Sequence, residues 1–522
     1  MMENRKTFGK KGYGMLRLFL GIDVGTSGTK ALLIDETGGI LASHTEEYPL
    51  YSKFPTWSEQ DPEDWWKATC LSARQVLQKS GCAPDAVAGV GFSGQMHGMV
   101  ALDEQMNVVR PAILWNDSRT VAQCERITQV AGGLDGLLSM TNNQMLPGYT
   151  GGKIEWMKQE EPENYARTRL ILNPKDYIRY RLTGEVATEV SDASGTGLFD
   201  VKNRRFHDEL IAKLGYPRSW FPKCLESHEV AGKVTQAAAA ETGLPVGVPV
   251  VAGGGDAVLQ TTTTGLDKPG VLGLVLGTSG VVAMGLDGYA SGDGTLQMFC
   301  NIAPNMWHAM GCVISAGASY RWCRDVLGEP ELDCAKAQGI SAYPGLNALA
   351  ASAQPGSGGI FFVPYLMGER CPYSDPNARG GFIGLTNTST RADMVRSVME
   401  GVTFAMRDVG DRALALGGAQ PQAIILSGGG ASSALWRSIC ADVFGIPVRT
   451  VCGSAEGGAF GAALLAGVGT GAYANLAQAL GVLKDETLTE PGENQRRYNE
   501  AFGVYRMLYG ALKPAYDAMA KL

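Results

Sequence analysis

The chain has 522 residues, 45% hydrophobic and 19% charged, with a formal net charge of −7. This is the make-up of a folded protein of two to four domains. An acidic chain with no block of basic residues argues against nucleic acid or an anionic membrane as partner, and no run of about 18 apolar residues marks a membrane span. Eleven cysteines without a C-x-x-C pair argue against a zinc site or a disulfide framework, and are read as reduced core fillers of a cytoplasmic protein.

In chain order, residues 1–14 read as a disordered extension and 16–23 as a buried strand. Residues 30–35 and 40–48 read as further strands, joined by the turns Gly25-Thr26-Ser27-Gly28-Thr29 and Thr37-Gly38-Gly39. Connections this short predict antiparallel pairing. A helix follows, with Asp61 as N-cap, Pro62 at its first position, and Trp65, Trp66 and Leu71 on its buried side. Residues 87–92 read as a strand ending at Ser93-Gly94, and 95–102 as another.

The segment 271–285 repeats the opening: Gly25-Thr26-Ser27-Gly28 recurs as Gly277-Thr278-Ser279-Gly280, again between two apolar strands. Two similar domains are predicted, meeting near the turn-rich 265–270. Further on, 423–426 is a strand and 427–432 a glycine loop. The rows Leu435, Ile439, Val443 and Trp436, Cys440, Phe444 then mark a helix stopped by Gly445 and Pro447. Strand, glycine loop and helix N-terminus make a site for a nucleotide. Alternating strands and helices give the α/β class.

With 69 glycines in the chain, against roughly 7% in an average protein, many backbone positions admit a close ligand. Asp23 with the turn at 25–29 reads as a phosphate hairpin or as a tight turn beside a solvated aspartate. It is not a Walker loop, since the spacing to Lys is absent. Gly89-x-Gly91-x-x-Gly94 follows a strand, but an apolar run rather than a helix comes next, which disfavours a dinucleotide fold. At 250–257 an apolar strand runs into three glycines and delivers Asp256: a proton acceptor for a hydroxyl, or the cap of the next helix. His97, one of five histidines, is either an interior residue or a substrate contact. Trp115-Asn116-Asp117 has the aromatic and polar mix that grips sugars, or else starts a capped helix. Gly368-Glu369-Arg370 reads as a structural ion pair.

Together these pieces resemble the FGGY carbohydrate kinases from about residue 17 to about 515. The motifs are GIDVGTSGTK (21–30), WSEQDPEDWW (57–66), GQMHG (94–98), RPAILWNDSR (110–119), PKDYIRYRLTG (174–184), SDASGT (191–196), VAGGGDA (251–257), LGTSGV (276–281), PYLMGER (364–370) and SGGGASSALWR (427–437). GQMHG and LWND point to the xylulokinase branch. The resemblance implies two ribonuclease H-like, actin-like domains, 15–265 and 266–522, with a cleft between them. It implies ATP-dependent phosphorylation of a ketose, D-xylulose to D-xylulose 5-phosphate.

The implied ATP contacts are Gly25, Thr26, Ser27, Thr29, Gly277, Thr278, Ser279, Gly428, Gly429, Gly430 and Ser432. The implied sugar contacts are Met96, His97, Trp115, Asp117 and Asp256. Asp256 matches the catalytic base and Asp23 the acid that orients Mg²⁺ and its waters. A small sugar and ATP are the expected partners, and a homodimer is an allowed assembly. One position departs: Ala257 stands where xylulokinases usually carry Asn, which opens the acceptor to another ketose or a polyol. Two rival classes are a non-catalytic actin-like nucleotide switch and a dehydrogenase.

Overall fold

The computed structural model describes residues 17–417, 419–452 and 456–522. The expected extension over 1–14 and the first positions of the expected opening strand lie outside these.

The opening apolar run forms β1 (Leu18–Val24), β2 (Gly28–Asp35) and β3 (Ile40–Glu47), an antiparallel meander. Pro62 opens α1 (Pro62–Ser80), and the Asp61 carboxylate accepts from Glu63 N–H at 2.9 Å. Leu71, expected on the buried face, is exposed. Trp65, Trp66, Ala73 and Val76 form the packed stripe instead, and five residues beyond Trp66 the helix has turned its side chain to the far face. β4 (Val87–Gly94) pairs parallel with β1. β5 (Val230–Lys233), β6 (Pro249–Val251) and the two-residue β7 (Gly254–Gly255) complete a seven-stranded sheet of order 5-6-4-1-2-3, with β7 beside β4. Residues 95–99 are not a strand. They turn, with His97 at φ 69°, and only Val100–Leu102 is extended.

The second sheet repeats the first. β8 (Val271–Leu276), β9 (Gly280–Leu286), β10 (Gln297–Cys300), β11 (Trp307–Val313), β12 (Ala423–Ser427), β13 (Val448–Val451) and β14 (Asp485–Thr489) lie in the order 10-11-9-8-12-13-14. In both sheets three antiparallel strands (β1–β3; β8, β9 and β11) are followed by two parallel strands and an antiparallel edge, and the second sheet adds β10 antiparallel beyond β11. The predicted internal repeat is therefore a repeat of topology, and the two-lobed α/β architecture is the one expected.

Two segments cross between the lobes. Residues 256–266, α2 (Asp256–Thr261) and the π-turn after it, leave the first sheet, and Leu266 presses on Gly273 and Gly285 of the second. In return α3 (Gly458–Gly469) lies on β1 and β4 of the first sheet. It comes so close that a Cβ on Gly21 would sit 1.8 Å from Ala459 O, and one on Gly91 1.9 Å from Ala462 O. Only glycine in the strands permits that approach to the helix backbone.

Candidate active site

β1 ends by delivering Asp23, and β7 ends by delivering Asp256 at the first turn of α2. Both carboxylates are surrounded by protein, yet each keeps part of its surface open to solvent. Burial, and next the Asp23 charge, push the Asp256 carboxyl up to about 7, against one opposing bond from Ala257 N–H at 2.7 Å. Asp23 is also raised by burial, opposed by the neighbouring Ser93 hydroxyl and by Lys30, which stands opposite it on β2. Neither Asp23 Oδ1 nor Ser93 Oγ has a hydrogen-bond partner of good geometry. The N-terminus of α3 points here as well. A Cβ on Gly458 would lie 2.1 Å from Ser93 Oγ and 3.0 Å from Asp23 Oδ1, and Lys30 pairs with Glu456 just before the helix.

The first hairpin, 25–28, is held by groups that sequence reasoning missed. Tyr48 hydroxyl donates to Gly25 O, Gln60 Nε2 to Thr26 O (2.7 Å), and Gln95 Nε2 to Gly25 O (3.3 Å) and Gln60 Oε1 (3.1 Å). Ser27 is left exposed at the tip, while Thr29 is buried beneath. The second hairpin is braced from α4 (Gly317–Leu327): Gly317 N–H and Ala318 N–H donate to Gly277 O and Thr278 O, each at 2.9 Å. Gly428, at φ 83°, packs against Leu276 and Gly277. The structure thus brings the loop with Gly428, Gly429, Gly430 and Ser432 beside the turn with Gly277, Thr278 and Ser279. Thr278, Gly428, Gly429 and Ser432 are exposed.

His97 is fixed from three sides. Its Nδ1 lies 2.7 Å from Gly195 O, which makes Nδ1 the protonated nitrogen and leaves Nε2 as an acceptor. Its ring stacks on Tyr149 at 4.7 Å. Its carbonyl accepts from Lys153 Nζ (2.6 Å) and Thr150 Oγ1 (3.0 Å). Burial, with Lys153 and Arg370 nearby, drives the imidazole down to about 3, so it is neutral at physiological pH. Lys153 itself is fully buried, and burial brings it down to about 7. Nothing in the sequence marks it, since it reads as an ordinary helical lysine.

The other expected sugar contacts fall in three different settings. Met96 is buried, packed under Gly255 directly before Asp256. Trp115 is 41% exposed, with its indole N–H on Thr26 Oγ1 at 2.9 Å, which ties it to the first hairpin. Asp117 is buried and occupied: its carboxylate takes Arg119 at 2.6–3.0 Å and Ser58 N–H at 2.7 Å. The ion pair expected within 368–370 is not formed. Glu369 instead accepts the backbone N–H groups of Ile314 and Arg370 at 3.0 and 2.8 Å.

Two family models match the chain: the N-terminal domain of the FGGY family of carbohydrate kinases over residues 18–262, and the C-terminal domain over 272–470. The chain belongs to the FGGY family of carbohydrate kinases. This kinase is 36% identical to the xylulose kinase of Klebsiella pneumoniae over 506 residues, 95% of this chain and 99% of that one. It is 37% identical to the xylulose kinase of Escherichia coli K12 over 499 residues, again 95% and 99%. The crystal structure of a xylulose kinase from Rhodospirillum rubrum superposes with a TM-score of 0.88 at 27% identity, covering 96% of this chain and 100% of that one. The FGGY kinase is thus a sugar kinase with ATP as co-substrate, on the two-domain actin-like fold. Among the described residues no helix is long and apolar enough to cross a membrane.

Proposed function

We propose that this kinase transfers the γ-phosphoryl group of ATP to the primary hydroxyl of D-xylulose, giving D-xylulose 5-phosphate, with Asp256 as the base. One observation carries the assignment of Asp256: a carboxyl held near 7 by burial and a second carboxylate, with part of its surface open, where sheet and crossing helix meet. A base with that affinity accepts a proton at physiological pH without holding it too weakly or too tightly. The substrate is supported by relatives that carry the xylulose kinase name over nearly the whole chain.

The division of labour follows the chain. Residues 15–265 hold the acceptor and the first phosphate hairpin, and 266–522 hold the nucleotide. Gly25, Thr26 and Ser27, with Gly277, Thr278 and Ser279, take the phosphates, whereas Thr29, expected among them, is buried below the hairpin in the β1–β2 ladder and does not reach a ligand. Gly428, Gly429, Gly430 and Ser432 take the adenosine. His97 Nε2 accepts a sugar hydroxyl, Trp115 offers its indole face, and Met96 supports the turn that presents Asp256. Asp117 acts through Arg119 and Ser58, keeping the Trp115 loop in place.

Mg²⁺ arriving with the triphosphate fits this donor set. It keeps several waters and takes one or two carboxylates beside substrate phosphates, and Asp23 has a buried oxygen without a partner. Asp23 would hold it, and when bound it neutralises charge that gathers on the phosphoryl oxygens. The proposal includes a cytoplasmic site of action and allows a homodimer.

A second acceptor class is kept open by Ala257, which packs with the apolar cluster under α3 and offers a sugar no hydrogen bond. A panel of pentuloses, hexuloses and alditols assayed with ATP decides between them, D-xylulose being expected to give the highest kcat/KM. Asp256→Asn is expected to lower kcat on the order of 10²–10⁴-fold while ATP still binds. Activity within about tenfold of the native enzyme would remove Asp256 from this role.

A further inference from the structure

A cavity of about 190 Å³ lies where the lobes meet, lined by Gln144 from the first and by Thr295, Gln297, Cys312 and Arg370 from the second. Arg370 is exposed, and among the described residues its guanidinium has neither a hydrogen-bond nor an ion-pair partner. The adjacent carboxylate does not take it, because Glu369 is turned to backbone N–H groups. The Arg370 charge acts on His97 and on Tyr149, the ring stacked against His97, and Gln297 lies beside the Tyr149 hydroxyl. Phe299, two residues along β10 from Gln297, lies 6.3 Å from the His97 ring. The cavity therefore lies on the His97 side of the proposed acceptor site.

A guanidinium has five N–H donors and no acceptor. It binds best to an oxygen that only accepts. In an open-chain 2-ketose that oxygen is the carbonyl, which lies at the end remote from the phosphorylated carbon. An alditol carries a hydroxyl there, whose proton must be turned away. Resting on the kinase reading above, we propose that Arg370 is a specificity-determining residue: it donates to the ketone oxygen and the neighbouring hydroxyl, so that this site prefers a 2-ketose to the matching alditol.

The test is calorimetric binding of D-xylulose and xylitol to the full chain, native, Arg370→Gln and Arg370→Lys, with ATP binding measured alongside. Arg370→Gln is expected to weaken D-xylulose by about 10- to 100-fold, the size of a hydrogen bond or two from a charged donor. Xylitol, which keeps the neighbouring hydroxyl, should weaken clearly less than D-xylulose, and ATP should change less than about threefold, with partial recovery of the ketose in Arg370→Lys. An unchanged ketose-to-alditol ratio overturns the proposal, as does equal loss of both acceptors or weakened ATP instead. Because binding is read rather than turnover, the outcome stands apart from the kinase reading, which fails separately if native enzyme phosphorylates no acceptor.

Discussion

At the scale of single residues, the carboxylate pair sets the expected pH behaviour. In its proposed role as base Asp256 works only when ionised, and burial with the Asp23 charge holds its carboxyl near 7. The kcat/KM for the acceptor should therefore fall about tenfold per pH unit below 7 and level off above it. Stability should run the other way. Between the ordinary aspartate value of 3.8 and about 7, the folded state holds a proton that the unfolded chain has lost. The favourable contribution is complete below about 4 and disappears as pH rises through 7. Asp256→Asn should thus raise Tm at pH 8 and lose that advantage at pH 4, while abolishing the acidic limb. Melting curves of both proteins at the two pH values check this, and equal Tm differences at both would contradict it. Asp256 and Asp23 were legible because apolar strands run straight into them and end in glycine. Lys153 and Gln60 were not, since a buried amine serving the carbonyl of His97 and an amide holding Thr26 O look like surface residues until the fold closes over them.

Among the elements, hairpins and helices were readable from period and punctuation: the turn sequence repeated at 25–28 and 277–280 announced two antiparallel hairpins. What the pattern did not reveal is that glycine inside β1 and β4 serves helix packing rather than a ligand turn. The docking of α3 depends on backbone atoms arriving from far along the chain, and no local window contains both partners. Gly91→Ala should push α3 off the sheet, since the added Cβ meets Ala462 O. Overpacking of this kind costs typically 1–3 kcal/mol, to be read from urea unfolding. Activity should fall as well, because Gly458 at the head of α3 abuts Ser93 and Asp23. Gly503→Ala is the control. It lies in the helix Gln495–Met519 with open space around its Cβ position, and should stabilise by up to about 1 kcal/mol. If both variants behave alike, the close approach of α3 is not what glycine provides at 91.

Over the whole molecule, three consecutive amides strap the lobes together beside the cavity that Gln144 lines. Asn142 bonds Ala290 O (2.8 Å) and Gly292 N–H (2.9 Å). Asn143 bonds Met298 O (2.7 Å) and N–H (2.8 Å), and Gln144 bonds Gly294 O (2.9 Å). Asn143 therefore imitates a strand partner for the outermost strand of the second sheet, β10. A kinase must bring its two substrates together while keeping water from the γ-phosphate, and amides that bond across the junction hold this side of it together. Asn143→Ala removes both bonds and leaves the buried Met298 N–H and C=O unpaired, which costs about 1–3 kcal/mol for each orphaned group. The expected result is a lower Tm together with a larger share of ATP hydrolysed without sugar phosphate being formed, measured by assaying ADP and phosphorylated sugar in the same reaction. A lower Tm with the ADP-to-product ratio unchanged would mean that the strap holds the fold but does not guard the chemistry.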